Sequence, residues 1–344
     1  MRIKLDNQPS PPPQSPIMKI LFTIDVETWP VTTDPETFGD YFERCIFGRV
    51  GDGAWGLSYQ LDIFRQYDLQ AVFFVEPLFA GVMGLGFLER IVSPILAAGH
   101  DIQLHTHPEW LSQYTPPLLP SKTPRHRMHD YAEGEQVEII EQGLKLLKKC
   151  GVDQVQAFRA GSFGADDNTL KTLSQTAITM DSSFNPGYPE CRITPPRSSS
   201  SNSAPPSPWQ PVRHHGILEF PMGGFSDWPG HTRHLQLTAV STAEMTGMIE
   251  QAYEKKWRYL VILSHSFELL NRSRSRKDPI MVRRFEALCQ FLANNRQRFQ
   301  TIGFADIDPQ AWSNDTACHP PLTSHPLRTL HRMGEQLFRR VYAP

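Results

Sequence analysis

The stretch "GHDIQLHTHPEW", residues 99–110, places three histidines, one aspartate and one glutamate within twelve positions. Its central part, "DIQLHTH" (101–107), predicts a short buried strand, because Ile102 and Leu104 are residues that normally lie inside. Gly99 is a typical helix C-cap, and it separates this strand from the helical pattern before it. Several potential metal ligands are therefore predicted to lie at the end of a buried strand.

The rest of the chain alternates between short apolar runs and stretches of helical periodicity. Strands are predicted at 19–25, 69–77, 101–107, 155–161, 178–184, 216–222, 258–267 and 299–307. Helices are predicted at 55–67, 86–100, 134–150, 166–176, 242–257 and 279–296. Strands that alternate with helices indicate a parallel sheet covered by helices, and about seven such units are typical of a (β/α) barrel.

Polar side chains stand where these apolar runs end. They are Asp25, Glu27, Glu76, His105, His107, Arg159, Asp181 and His265. In a (β/α) barrel the carboxyl ends of the strands meet at one rim, and active sites lie there. Convergent acids, histidines and one arginine above an apolar interior predict a catalytic metal site at that rim.

The spacing of four of these residues supports a metal site. Asp25 and Glu27 are two positions apart, so both point to the same side of an extended chain, and His105 and His107 share that relationship. Each pair alone has an ordinary explanation, such as a solvated strand end or a structural histidine. Two histidines with one carboxylate and one open position form a catalytic zinc arrangement, although nickel, cobalt, manganese or iron(II) could occupy the same ligands.

Composition narrows the classes of protein that this chain can represent. The chain has 344 residues with 34 basic and 36 acidic side chains, a balance that argues against a broad nucleic-acid-binding surface. No apolar run reaches the roughly 20 residues that span a bilayer. The 5 cysteines lie far apart without a CxxC pair, which predicts reduced thiols and a cytoplasmic protein. The oligomeric state is left open.

One barrel domain with two extensions is predicted. Residues 1–17 read as a disordered, proline-rich tail, and translation could begin at Met1 or Met18. Residues 18–310 form the barrel domain, and residues 311–344 form a C-terminal extension whose strongest pattern is that of a basic helix. Within the domain, residues 189–211 are rich in proline and contain the run "SSSSNS", which predicts a flexible insertion.

Five motifs in order resemble those of the polysaccharide deacetylases, carbohydrate esterase family four, also called the NodB homology domain. They are "TIDVE" (23–27), "HDIQLHTHPEW" (100–110), "FRAGSFG" (158–164), "MDSSF" (180–184) and "LVILSHSF" (260–267). The resemblance runs from about Lys19 to Ile307. It implies a distorted (β/α)7 barrel of the glycoside hydrolase/deacetylase type, in a divergent branch with Asp-x-Glu and His-x-His motifs.

The resemblance also implies a metal-ligand set. Glu27 takes the place of the family's second aspartate, because Val26 stands in the adjacent position where that aspartate usually lies. His105 matches the first histidine ligand. The family's second histidine follows at i+4, where this chain has Glu109, so His107 is the expected ligand and Glu109 its rival.

Catalytic roles follow from the same resemblance. Asp25 matches the catalytic base, Arg159 the arginine that pairs with it, and His265 the general acid. Histidine suits that last task because its pKa lies near neutrality. A backbone N–H near Ser162 or Phe163 is expected to stabilise the oxyanion.

Substrate contacts are expected from Trp110, Ser162, Phe163 and Asp181, with Trp29 and Phe225 as further aromatic candidates. The implied reaction is metal-assisted removal of N-acetyl groups from an amino sugar or polysaccharide precursor. One alternative is hydrolysis of another C–N bond, including cyclic amides, on the same scaffold. The other is a degenerate, non-catalytic sugar-binding protein, which the departures at Val26 and Glu109 suggest.

Overall fold

The computed structural model describes residues 16–194, 208–312 and 320–342. The strands are β1 (Met18–Val26), β2 (Arg49–Val50), β3 (Gly53–Ala54), β4 (Val72–Val75), β5 (Asp101–Thr106), β6 (Ala157–Ala160), β7 (Met180–Asp181), β8 (Val212–His214), β9 (Ile217–Glu219), β10 (Gly224–Trp228), β11 (His231–His234), β12 (Tyr259–His265), β13 (Phe299–Thr301) and β14 (Leu322–Thr323). The helices are α1 (Pro35–Cys45), α2 (Leu57–Gln66), α3 (Ala80–Met83), α4 (Leu85–Ala97), α5 (Glu133–Lys149), α6 (Asp167–Leu173), α7 (Thr242–Glu254), α8 (Pro279–Asn294) and α9 (Pro326–Tyr342).

The central sheet is a curled layer of parallel strands in the order β12-β1-β4-β5-β6-β7-β9, with β8 antiparallel at the edge. β1 pairs with β12 along one of its sides. Along its other side, the first residues of β1 pair with β13 and its last residues pair with β4. Seven parallel strands in this order, connected mainly through helices, confirm the expected distorted (β/α)7 barrel.

Backbone hydrogen bonds bridge the gap between β9 and β12. The N–H of Gly223 donates to the carbonyl of Val261 at 3.1 Å. Farther along β12, Leu263 exchanges 2.9 Å hydrogen bonds with Leu235 and Leu237. The two sides of the curled sheet are therefore joined next to the end of β12.

Alternate residues of each strand contribute to two separate apolar cores. On β1, Ile20 and Phe22 pack outward against the helices, whereas Leu21 faces the interior of the barrel. On β12, Ile262 belongs to the outer core and Leu263 to the inner one. The inner positions become polar toward the carboxyl ends of the strands, so the interior supports the rim residues from below.

The predicted strands and helices are confirmed, most of them with shorter bounds, although β1 extends one residue further at each end. Helix α1 was not predicted, although its start carries a typical pattern, with Asp34 as N-cap and Pro35 at N1. The hairpin β10–β11 pairs with β14, and both β14 and helix α9 pack beside α7. The basic-helix pattern of the C-terminal extension is thus a packed element.

Residues 1–15, 195–207, 313–319 and 343–344 lie outside the described residues, and they include most of the predicted tail and insertion. The described ends of the insertion are packed: Arg192 forms a β-bridge with Asp166, and the Trp209 ring stacks on Trp257 at 6.4 Å between centroids. In the described ranges, none of the helices has the length and apolar character needed to cross a bilayer.

Candidate active site

Strand register brings the polar rim residues together. Asp25 on β1 is the direct neighbour of His265 on β12, and His105 on β5 is the direct neighbour of Arg159 on β6. Because β1, β4 and β5 are adjacent and curled, Asp25, His265 and His105 face one cavity of about 1020 Å³, and Arg159 is buried behind its wall. Asp25, Glu27, His105, His107 and His265 all line this cavity.

Three of these side chains point their ligand atoms at one place. Oε2 of Glu27 lies 2.9 Å from Nε2 of His105 and 2.6 Å from Nε2 of His107. The three ligand atoms lie within 4.8 Å of one another, and all three residues are buried. This is the predicted set of one carboxylate and two histidines.

The hydrogen bonding of His105 favours a cation at this point. Its Nδ1 lies 2.8 Å from the carbonyl oxygen of Arg159, so Nδ1 carries the proton and donates. In the neutral ring, the Nε2 lone pair then faces the Glu27 carboxylate, and two acceptors lie opposite each other. A divalent cation between them satisfies both, and the carbonyl orients the ring as in many metal sites.

Electrostatic interactions among Glu27, His105 and His107 are strong because the three side chains are buried away from water. Burial alone would raise the pKa of Glu27, but the charge of His107 and the short contacts with both histidine rings hold that pKa well below its ordinary value. Burial would lower the pKa of His107, yet the Glu27 and Glu109 carboxylates raise it well above the ordinary value. The cluster therefore keeps its carboxylate ionised in a buried place.

Asp25 is held beside the cluster by Arg159. Nη1 of Arg159 donates to Oδ1 of Asp25 at 2.6 Å, and the guanidinium stacks over the ring of Phe74 at 4.2 Å. Further donors of Arg159 bind the carbonyl and hydroxyl of Ser182. This leaves Oδ2 of Asp25 facing the cavity, 4.0 Å from Nε2 of His105. The predicted Asp25–Arg159 pair is present.

His265 has a carboxylate partner that sequence reasoning missed. Nδ1 of His265 lies 2.9 Å from Oε1 of Glu268, whose other oxygen accepts from Ser264 at 3.0 Å. Burial would lower the pKa of His265, but the hydrogen bond and charge of Glu268 raise it to about 9. Its Nε2 lies 4.0 Å from Oδ2 of Asp25. The spacing His-x-x-Glu in "SHSFE" was the available signal for this pair.

Glu109 lies on the far side of His107 from Glu27. Its Oε2 is 3.4 Å from Nδ1 of His107, whereas Glu27 contacts Nε2 of the same ring. In this arrangement Glu109 is placed to orient His107 rather than to share a ligand position with it.

The loop after β6 forms one wall. Ser162 and Phe163 line the cavity, and both have a left-handed backbone with φ of 52°. Non-glycine residues rarely adopt that conformation, and it is concentrated at functional sites. Gly161 precedes them because a Cβ there would lie 2.8 Å from the His107 ring. Residues at the opposite wall include Trp29, whose ring contacts His107 at 5.8 Å between centroids.

Three residues expected at the substrate lie elsewhere. Trp110 is completely buried, and its Nε1 donates to the carbonyl of Thr28. Phe225 is also completely buried. Asp181 is buried below the rim, where it accepts from Ser183 and lies beside Glu219. None of the three lines the cavity, so this structure lends no support to a direct substrate contact by them.

The cavity mouth carries residues that no motif predicted. Arg272 and Arg274 come from the loop before α8, and Gln336, Arg339 and Arg340 come from α9. The floor of the cavity is thus acidic and imidazole-rich, while its mouth is rich in arginine.

Comparison with known proteins gives matches among solved structures alone. No protein-family model matches the chain, and no curated protein sequence matches it. One match is a crystal structure from Mycobacterium smegmatis, of a protein that is provisionally assigned as a polysaccharide deacetylase. The match has a TM-score of 0.53 and 16% sequence identity, and it covers 92% of this chain and 99% of that one.

The chain has the polysaccharide deacetylase fold.

Two further solved structures match with lower TM-scores. A family 4 carbohydrate esterase from Streptomyces lividans, in complex with acetate, has a TM-score of 0.38 and 12% identity over 86% of this chain and 94% of that one. A family 4 pseudoenzyme from Bacillus anthracis has a TM-score of 0.39 and 11% identity over 91% and 71%. At 16% identity, the match to the Mycobacterium smegmatis structure shows the fold alone, and the activity must be argued from the site itself.

Proposed function

We propose that this protein is a metal-dependent hydrolase that removes N-acetyl groups from an amino sugar or polysaccharide precursor. The observation that carries the proposal is the pair formed by Asp25 and His265. Their Oδ2 and Nε2 atoms lie 4.0 Å apart beside the Glu27–His105–His107 cluster. A carboxylate and an imidazole next to a metal site provide a base and an acid for amide hydrolysis.

In this proposal Glu27, His105 and His107 hold a divalent metal, with zinc as the first candidate and nickel, cobalt, manganese or iron(II) as others. A metal bound there would polarise the acetyl carbonyl and lower the pKa of water. The carbonyl of Arg159 and the carboxylate of Glu109 support the two histidine rings from behind.

Proton transfer is assigned to Asp25 and His265. Asp25 accepts a proton from the attacking water through Oδ2, because Oδ1 is occupied by Arg159. His265 donates a proton from Nε2 to the departing amine, because its Nδ1 is occupied by Glu268. The raised pKa of His265, about 9, keeps that proton on the ring at neutral pH.

Substrate positioning is assigned to the loop after β6 and to the aromatic wall. The backbone at Ser162 and Phe163 is the candidate oxyanion-binding element, because its left-handed conformation holds it at the cavity wall. Trp29, Phe163 and Tyr188 offer rings on which a sugar face can stack.

The test is acetate release from N-acetylated amino sugars by metal-free and metal-reconstituted protein. We expect release with metal and none without it. A ring-opened acid formed from a cyclic amide, with no acetate from any sugar, would favour the other C–N hydrolase. Binding of an acetylated sugar without turnover by metal-loaded protein would favour the sugar-binding alternative.

A further inference from the structure

Helix α9 exposes its apolar side to the outside. Its large apolar side chains range from 49% exposed at Phe338 to 69% at Leu327. The exposed set is Leu327, Leu330, Met333, Leu337, Phe338, Val341 and Tyr342. Their spacing of three and four residues makes one continuous stripe along the helix, which we call the apolar stripe. A contiguous exposed apolar patch of this kind marks an interaction site.

The opposite side of α9 is polar and anchors the helix on the domain. Arg332, only 3% exposed, donates to Asp227 at 2.7 Å and lies 2.9 Å from a carboxylate oxygen of Glu244. Arg339 donates to Asp278 at 2.7 Å. Turning the apolar stripe inward would leave these buried charges unpaired, so the orientation of α9 is set by its ion pairs.

Charge around the stripe is positive. Helix α9 contains four arginines and one histidine but a single acid, Glu335, which is paired with Arg284 at 2.9 Å. Arg328, His331 and Arg340 are exposed along the helix. The exposed Arg272 and Arg276 belong to the neighbouring loop, and Arg276 donates to the carbonyl of Tyr342.

An apolar stripe with a cationic margin has the character of a helix that lies in the interface of an anionic lipid bilayer. Trp228, 68% exposed, follows Asp227, the residue that binds Arg332, and tryptophan is enriched at membrane–water interfaces. A second copy of this chain fits less well, because a two-fold contact would bring the same cationic margins together.

We propose that α9 is a docking surface for an anionic phospholipid bilayer. The apolar stripe enters the boundary between headgroups and acyl chains, while the arginines at its margin contact lipid phosphates. The cavity mouth is lined by Gln336, Arg339 and Arg340 of the same helix, so docking would open the cavity beside the lipid surface. The docking does not require the proposed hydrolase activity.

Sedimentation with lipid vesicles tests the proposal on the full chain. We expect the protein to sediment with vesicles of phosphatidylcholine and phosphatidylglycerol in roughly equal parts, and far less with phosphatidylcholine alone. High salt should weaken the binding. The double variant Leu330→Ser/Leu337→Ser should bind anionic vesicles roughly tenfold or more weakly, because two apolar anchors are lost.

The matched control is Leu96→Ser, which removes a leucine 40% exposed on α4. It should bind like the unaltered protein, and thermal unfolding should show that both variants are folded. Absence of binding to anionic vesicles, or equal binding by the double variant, would overturn the proposal. Analytical ultracentrifugation adds a second outcome: a dimer that the double variant abolishes, without vesicle binding, would assign the stripe to a second copy.

Discussion

The imidazole of His265 is held by the carboxylate of Glu268, three residues later in the chain, at 2.9 Å between Nδ1 and Oε1. This contact directs Nε2 toward Asp25 and the Glu27–His105–His107 cluster. It also accounts for the raised pKa of His265, against the effect of burial. Glu268 is accordingly a positioning residue for the proposed acid.

Replacement of Glu268 by glutamine tests that role. The amide retains the shape of the carboxylate but not its charge, so the pKa of His265 should fall. We expect kcat to fall roughly tenfold to hundredfold with little change in KM. The basic limb of the pH–rate profile should move to lower pH, because His265 would lose its proton earlier. Glu286→Gln, which removes a carboxylate paired with Tyr59, is the charge-matched control.

Asp25→Asn should separate catalysis from metal binding. Asparagine can keep a contact with Arg159 but cannot accept the proton of the attacking water. Acetate release should fall by roughly 10²–10⁴-fold, the range for loss of a general base. Metal content, measured by elemental analysis, should stay unchanged. Near-normal turnover in this variant would show that another group is the base.

The number of metal ions bound per protein distinguishes residues that bind the metal from residues that only orient those ligands. His105→Ala should purify without stoichiometric metal and remain folded, because a rim side chain contributes little to the apolar cores. Glu109→Ala should still bind one metal, with an affinity roughly 10–100-fold lower, as for loss of a residue that orients a ligand. The reverse pattern, with His107→Ala harmless and Glu109→Ala metal-free, would restore the i, i+4 ligand spacing.

His100 should make the stability of the domain depend on pH. The residue is 8% exposed, and its ring lies against Phe64 and Phe73 without a hydrogen-bond partner among the residues that the structure describes. Burial lowers the pKa of His100 to about 4. The unfolded chain binds a proton near pH ~6.5 while the folded chain does not, so stability is lost as the pH falls from about 6.5 to about 4.

The free energy of unfolding should therefore drop by roughly 2 kcal/mol between about pH 7 and about pH 5 through this residue. Urea unfolding of the unaltered protein and of the His100→Leu variant, each at both pH values, measures the contribution of His100 to the free energy of unfolding. The variant should lose less stability than the unaltered chain over this interval. Parallel losses in both proteins would show that His100 is not the titrating group.

The strand-end residues could be identified from local patterns. Asp25, His105, Arg159 and His265 each end an apolar run, and parallel strands deliver such residues to one rim whatever their separation in the chain. Trp110 shows the limit of that argument. It lies three residues after the His-x-His motif, but the 3₁₀ turn at 108–113 directs its ring into the outer core against Phe38.

The alternation of strands and helices, the rim at which the polar residues meet, and the ligand types of the proposed metal site could all be predicted from the amino-acid sequence. These depend on hydrophobic periodicity and on spacing within single strands, which are local properties. Three features became visible only in the folded protein: Glu109 lies behind His107, Glu268 holds His265, and α9 lines the cavity mouth while exposing its apolar stripe. Those features depend on which side of a ring or helix meets a neighbour distant in the chain, and the packing of the whole fold sets that choice.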